Sequence, residues 1–142
     1  MVDVRVERVI GRSRAQVAAY VVDPGNAPSW YENIKAVDWA PPLAVGSELA
    51  FVAQFLGRRL EYTYVVRELV PGERLVMSTE QGPFPMETTY EFADAGDGAT
   101  RMTLRNRGEP AGFKKIAGAM MARAMRRANQ ADLRRLQAIL EA

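Results

Sequence analysis

Tyr62 and Tyr64 stand two residues apart in the run LEYTYVV, and Thr88 and Tyr90 repeat that spacing in METTYEF. In an extended strand residues i and i+2 share a face, so each pair sets neutral hydroxyls side by side, and Asn106 adds an amide on a further candidate strand. Groups of this kind hydrogen-bond a ligand's carbonyl or hydroxyl, or bond only within the protein. Proton transfer at neutral pH needs other side chains, and the sequence holds neither histidine nor cysteine. The usual zinc sites, Ser-His and Cys-His nucleophiles, thiol redox chemistry and histidine bases are therefore excluded together. Strand parity turns Glu87, Glu91, Arg101 and Arg105 toward solvent, and no paired carboxylates emerge. Glu32 in the short helix and Glu109 at the entry to the long helix are the carboxylates nearest a cavity mouth, and each reads first as a surface or capping charge. No catalytic residue, metal site or cofactor is assigned. Gly96-Asp97-Gly98 lacks the third glycine of a dinucleotide fingerprint and lies between two strands, which makes it a hairpin turn.

These groups need a scaffold, and the chain supplies enough residues for one domain spanning 1–142 with a core of its own. Hydrophobic residues make up 48% and charged residues 25%, which excludes intrinsic disorder. The net charge of +2 is unevenly spread: residues 1–109 carry 12 Lys+Arg against 15 Asp+Glu, and residues 110–142 carry 7 against 2. The basic excess reads as the solvated face of a helix. Aromatics do not interleave with its arginines, so nucleic acid is not an expected partner. Asp3, Arg5, Glu7 and Arg8 occupy the place where a secretory signal would be apolar, and no run is long enough to span a bilayer. The expectation is a cytoplasmic protein with no integral membrane association.

Val2, Val4 and Val6 alternate with Asp3, Arg5 and Glu7, the period of a half-buried strand over 2–10. Ser13, with Gln16 three residues on, is the capping box of a short helix that ends near Asp23-Pro24-Gly25. A second short helix over 27–34 carries Trp30 and Tyr31 before the chain reaches the Pro41-Pro42 break. Strands follow at 47–55, 58–69, 74–80, 84–93 and 99–107, parted by Gly57, Pro71-Gly72, Gly82-Pro83 and Gly96-Asp97-Gly98, which implies antiparallel hairpins. Phe84, Met86, Thr88, Tyr90 and Phe92 share one face, as do Met102, Leu104 and Asn106. A long helix over 111–141 must cover that face, with Phe113, Ala117, Met120, Met121, Ala124, Ala128 and Ala131 inward and Lys115, Arg123, Arg126, Arg127 and Arg134 outward. From residue 133 the apolar set moves round to Leu133, Leu136 and Leu140, toward a different neighbour. The stripe's small and flexible residues either leave a void against the sheet or pack closely against strand aromatics.

This order of elements, with VVDPGNAPSWYENIKAVDW at 21–39, VVRELVPGERL at 65–75 and GDGATRMTLRNRGEP at 96–110, resembles the START-related superfamily (SRPBCC), which includes polyketide cyclases/dehydrases and lipid-transfer proteins. The resemblance covers nearly the whole chain. It implies an α+β helix-grip fold: a curved antiparallel sheet of about six or seven strands around a long C-terminal helix, with two short helices after the first strand. It also implies an apolar cavity between sheet and helix for a lipid-like or polyketide-like molecule.

The expected wall takes Phe51 and Phe55 from one strand, Tyr62 and Tyr64 from the next, and Phe84, Met86 and Tyr90 from a third. Met102 and Asn106 come from the last strand, Trp30 from the short helix, and Phe113, Met120 and Met121 from the long one. The function expected is binding of a hydrophobic small molecule. One alternative is a cyclase or dehydratase acting in the same cavity. A second is docking of the basic helix face, through Arg123, Arg126 and Arg127, on an anionic membrane or acidic protein. Edge strands leave a homodimer open.

Overall fold

The computed structural model describes residues 1–55, 57–81, 84–109 and 115–142, the side chains of Phe55 and of residues 115–117 excepted. Period-2 alternation at the start gives β1 (Val2–Ile10), in which Val2, Val4, Val6 and Ile10 are buried and Asp3, Arg5, Glu7 and Val9 face out. α1 (Arg14–Val22) begins at a capping box: the Ser13 hydroxyl accepts from the Gln16 amide at 3.3 Å, and the Gln16 side chain accepts from the Ser13 amide at 3.2 Å. Two of the donors left over at the helix start are satisfied in this way. Asp23 then accepts from the Gly25 amide at 2.9 Å, opening a single 3-10 turn (Pro24–Asn26) that leads into α2 (Ala27–Trp30).

The second helix is shorter than the sequence suggests, because residues 34–38 leave it for the sheet as β2 (Ile34–Asp38). β2 pairs only with β3 (Glu48–Phe55) and is interrupted by a bulge between Ile34 and Ala36. β4 (Arg58–Val70), β5 (Arg74–Thr79), β6 (Met86–Asp94) and β7 (Thr100–Gly108) continue as an antiparallel meander, and β1 joins beyond β7. The seven-stranded sheet therefore runs β1-β7-β6-β5-β4-β3-β2. Gly72, at φ +75°, allows the tight turn between β4 and β5, where a side chain would meet backbone strain.

α3 (Lys115–Glu141) closes the concave face of this curved sheet. Its C-terminal half is tied to β1: the Glu141 carboxylate accepts from the Gly11 amide at 2.7 Å, and Arg8 donates to Gln137. Leu133 and Leu136 fill the space beneath. On the convex face, Asp3 and Arg105 pair at 2.7 Å, Glu87 and Arg107 at 2.9 Å, and Glu91 and Arg74 at 3.1 Å. Each is substantially exposed, so the ladder contributes little stability. It does hold these charges away from the concave side. The helix-grip architecture of the α+β class is thus the observed one, with seven strands.

Candidate functional site

Between the concave sheet face and α3 lies a cavity of about 140 Å³. Phe51 and Ala53 of β3, Leu60, Tyr62 and Tyr64 of β4, and Met77 and Thr79 of β5 line one side. Gln81, Phe84, Met86, Thr88, Tyr90 and Asn106 line the next, and Tyr31, Asn33 and Ile34 close the end near α2. The helix contributes Met121, Met125, Ala128, Asn129 and Asp132. The volume is close to that of an engineered apolar cavity, ~150 Å³, which holds benzene. It lies below the ~300 Å³ at which drug-sized pockets begin. Much of the concave space is filled by aromatic and aliphatic side chains; what remains is the size of a small ring.

Of the thirteen side chains expected at the wall, Phe51, Tyr62, Tyr64, Phe84, Met86, Tyr90, Asn106 and Met121 border the cavity. Trp30 and Met102 are fully buried but stand outside its lining. Trp30 packs behind the wall, with its ring 4.1 Å from that of Tyr31 and 5.8 Å from that of Tyr90 in an edge-on arrangement, and so positions both phenols. Met120 is 68% exposed and points to solvent. The Phe55 side chain and Phe113 lie outside the described residues.

Met120 fails to reach the site because the inward stripe of α3 is turned from the one its apolar residues alone would draw. Met121, Met125, Ala128, Asn129, Asp132, Leu133 and Leu136 face in, at helical spacing, whereas Ala119, Met120, Arg123, Arg126 and Arg127 face out. Asn129 and Asp132 share the period of Met125 and Leu136, the one signal in the sequence that could have revealed them. The outward arginines include Arg126, whose guanidinium donates to the Arg5 carbonyl at 3.1 Å. Glu109 is exposed beside the amino terminus at 3.8 Å, and Glu32 serves the site through its backbone, not its carboxylate.

Most of the cavity's hydroxyls are already engaged. The Tyr31 and Tyr90 hydroxyls are hydrogen-bonded to each other at 2.6 Å. Thr88 donates to the Asn106 side-chain oxygen at 2.5 Å and lies within hydrogen-bonding distance, 3.2 Å, of the Tyr64 hydroxyl. Burial raises every one of these phenols: Tyr62 to about 12, Tyr64 and Tyr90 further, and Tyr31 well above the usual phenol value. They act as neutral groups that hold the wall rigid.

Asp132 is different. Its residue is 2% exposed, and one carboxylate oxygen accepts from the Glu32 amide at 3.1 Å. Burial pushes its pKa up to about 6, against the opposing pull of that amide and of the Arg135 charge, with the Glu32 carboxylate adding to the rise. One turn earlier, the Asn129 side-chain nitrogen is buried without a hydrogen-bond partner among the described residues. Among the described residues the lining holds no lysine or arginine, and no group of potential metal ligands occurs among them. No helix among the described residues is long and apolar enough to cross a membrane.

Residues 1–141 match the family model for polyketide cyclase/dehydrase and lipid transport. In structure the chain is similar to TTHA0849 from Thermus thermophilus, at 18% identity and a TM-score of 0.82 over 97% of this chain and 96% of that one. It is similar to the Zhui aromatase/cyclase from a Streptomyces species, at 14% identity and a TM-score of 0.82 over 98% and 93%. A START superfamily protein from Mycobacterium smegmatis is 14% identical, with a TM-score of 0.78 over 98% and 97%. At these identities the likeness shows the fold alone. No curated protein matches the chain in sequence.

Proposed function

The chain belongs to the polyketide cyclase/dehydrase and lipid transport family, and from that premise we propose that it binds a small hydrophobic ring compound between its sheet and α3. The observation that carries this reading is the cavity itself: about 140 Å³, walled by aromatic and methionine side chains, with a few fixed polar groups. That is how apolar sites bind and orient a ligand. Its size favours one or two rings over a long acyl chain. A thermal-shift screen of mono- and bicyclic aromatics against fatty acids tests it. A ligand at about 100 times its dissociation constant adds roughly 2.7 kcal/mol, a rise of several degrees for a domain this size. A chemically consistent set of ring compounds should raise Tm. Silence from every ring compound overturns the reading.

A second reading, a cyclase or dehydratase, is favoured by Asp132. A cavity carboxyl with a pKa raised to about 6 is suited to giving and taking a proton near neutral pH. In that reading the carboxylate takes a proton from the carbon beside a ligand carbonyl and, as the acid, returns it to a leaving hydroxyl, which departs as water. Asp132→Asn should then lower turnover by about 10²- to 10⁴-fold with ligand binding retained. Turnover unchanged in that variant overturns it.

A further inference from the structure

The polar groups of the cavity are not equally free to meet a ligand. Tyr31 and Tyr90 satisfy each other, and Thr88 engages Asn106 and Tyr64. The Asn129 nitrogen, on a residue only 6% exposed, is the buried lining donor left without a partner among the described residues. An unmet buried donor is costly, and a ligand acceptor removes that cost. One helical turn away, Asp132 is the single carboxylate of the described lining, and no cation among the described lining residues balances it. The charged or titratable groups acting on it are Glu32 from the segment after α2, Arg135 from its own helix, and the phenols Tyr31 and Tyr90. At neutral pH it is mainly ionised.

We propose that Asn129 and Asp132 together set the specificity of the cavity, selecting an uncharged ring compound that presents a carbonyl to Asn129 and a hydroxyl to Asp132 and rejecting carboxylates. A ligand carboxylate would sit beside a like charge in a water-poor space with no lysine or arginine among the described lining residues to pair with. Free fatty acids are excluded by charge as well as by size, and aromatic acids by charge. The neutral ketone meets the orphaned donor, and its hydroxyl donates to the carboxylate. This inference rests on the reading of the cavity as a ligand site and assigns that site its polar determinants.

Two probes of nearly equal shape separate the possibilities: meta-hydroxyacetophenone, neutral at pH 7.5, and meta-hydroxybenzoate, an anion. Titration calorimetry with the wild-type chain should show the ketone binding at least about tenfold more tightly. Asp132→Asn keeps an acceptor for the Glu32 amide and removes the charge, and should bring the benzoate to within about threefold of the ketone. Asn129→Leu keeps the volume and removes the donor, and should weaken the ketone by about tenfold. Ala128→Phe fills the cavity and should abolish both. Thermal unfolding of each variant confirms that it is folded. If the two probes bind alike, and neither polar variant alters the ratio while Ala128→Phe abolishes binding, the specificity inference fails and the ligand site stands. If binding is absent in the wild type, or survives Ala128→Phe, the ligand site itself fails and the inference falls with it.

Discussion

The Tyr31 and Tyr90 hydroxyls meet at 2.6 Å although the residues are 59 positions apart, one just after α2 and the other in the middle of β6. Trp30 packs against both rings, so the short helix and the sheet are joined at the cavity's end by one aromatic cluster. The bond is part-buried, and neither phenol has another hydrogen-bond partner among the described residues.

Removing one partner leaves the other stranded. Tyr90→Phe should cost about 1 to 3 kcal/mol of stability, measurable by urea unfolding, and Tyr31→Phe a similar amount. The double variant should cost less than the two added together, because the second change removes a hydroxyl already without its partner. Strict additivity in that cycle would show that the two hydroxyls are not coupled.

Alkali reports on the same cluster. Tyr62 is raised to about 12, Tyr64 and Tyr90 further, and Tyr31 well above the usual phenol value, all chiefly by burial. The unfolded chain ionises these phenols near ~10, so stability is full below that pH and falls as pH rises above it. Phenolate absorbance from these four should therefore appear together with loss of the native circular dichroism. Ionisation of all four with the fold intact would contradict the burial that raises them.

Asp132 has the opposite bearing on stability from a salt-bridged carboxylate. Its pKa rises from 3.8 to about 6 on folding. Between those values the native state holds a proton that the unfolded chain has released, and stability falls as pH rises through that window. Asp132→Asn should equal the wild type below pH ~4 and exceed it above pH ~7 by on the order of 3 kcal/mol. Thermal unfolding at pH 4 and pH 8 checks it. A variant less stable than wild type at pH 8 would show that the carboxylate is better accommodated than its burial implies.

Gly108, the last residue of β7, admits no side chain. A Cβ there would meet the Pro85 carbonyl oxygen at 2.3 Å and the Phe84 ring at 2.7 Å. Phe84 borders the cavity, so Gly108→Ala must displace that ring or the backbone behind it. The expected outcome is a loss of about 1 to 3 kcal/mol with ligand binding weakened more than in a surface variant of equal stability. Unchanged stability and binding would show that the segment shifts freely.

Local pattern carried much of this architecture. Alternation at Val2, Val4 and Val6, the Ser13–Gln16 cap and the turn glycines correspond to elements found where their spacing places them. β2 escaped notice because five residues at a sheet edge, with Lys35, Ala36 and Asp38 exposed, carry too little alternation to compete with the helical signal before them. The helix face was misdrawn for a related reason. The apolar stripe passed over Asn129 and Asp132, which are polar, yet packing against the sheet buries them. A buried carboxylate is a property of the assembled fold, and only its period within Met121, Met125 and Leu136 hints at it.

The division of labour across the cavity has an evolutionary consequence. The sheet contributes aromatic bulk through strands locked by their ladders, whereas the unmet donor and the carboxylate both come from one helix. A helix's internal bonds do not depend on what its inward side chains are. Substitutions at 125, 128, 129 and 132 can therefore redraw the chemical preference of the cavity while the strand register is inherited intact. One scaffold could diversify its ligands by drift along a single helical face.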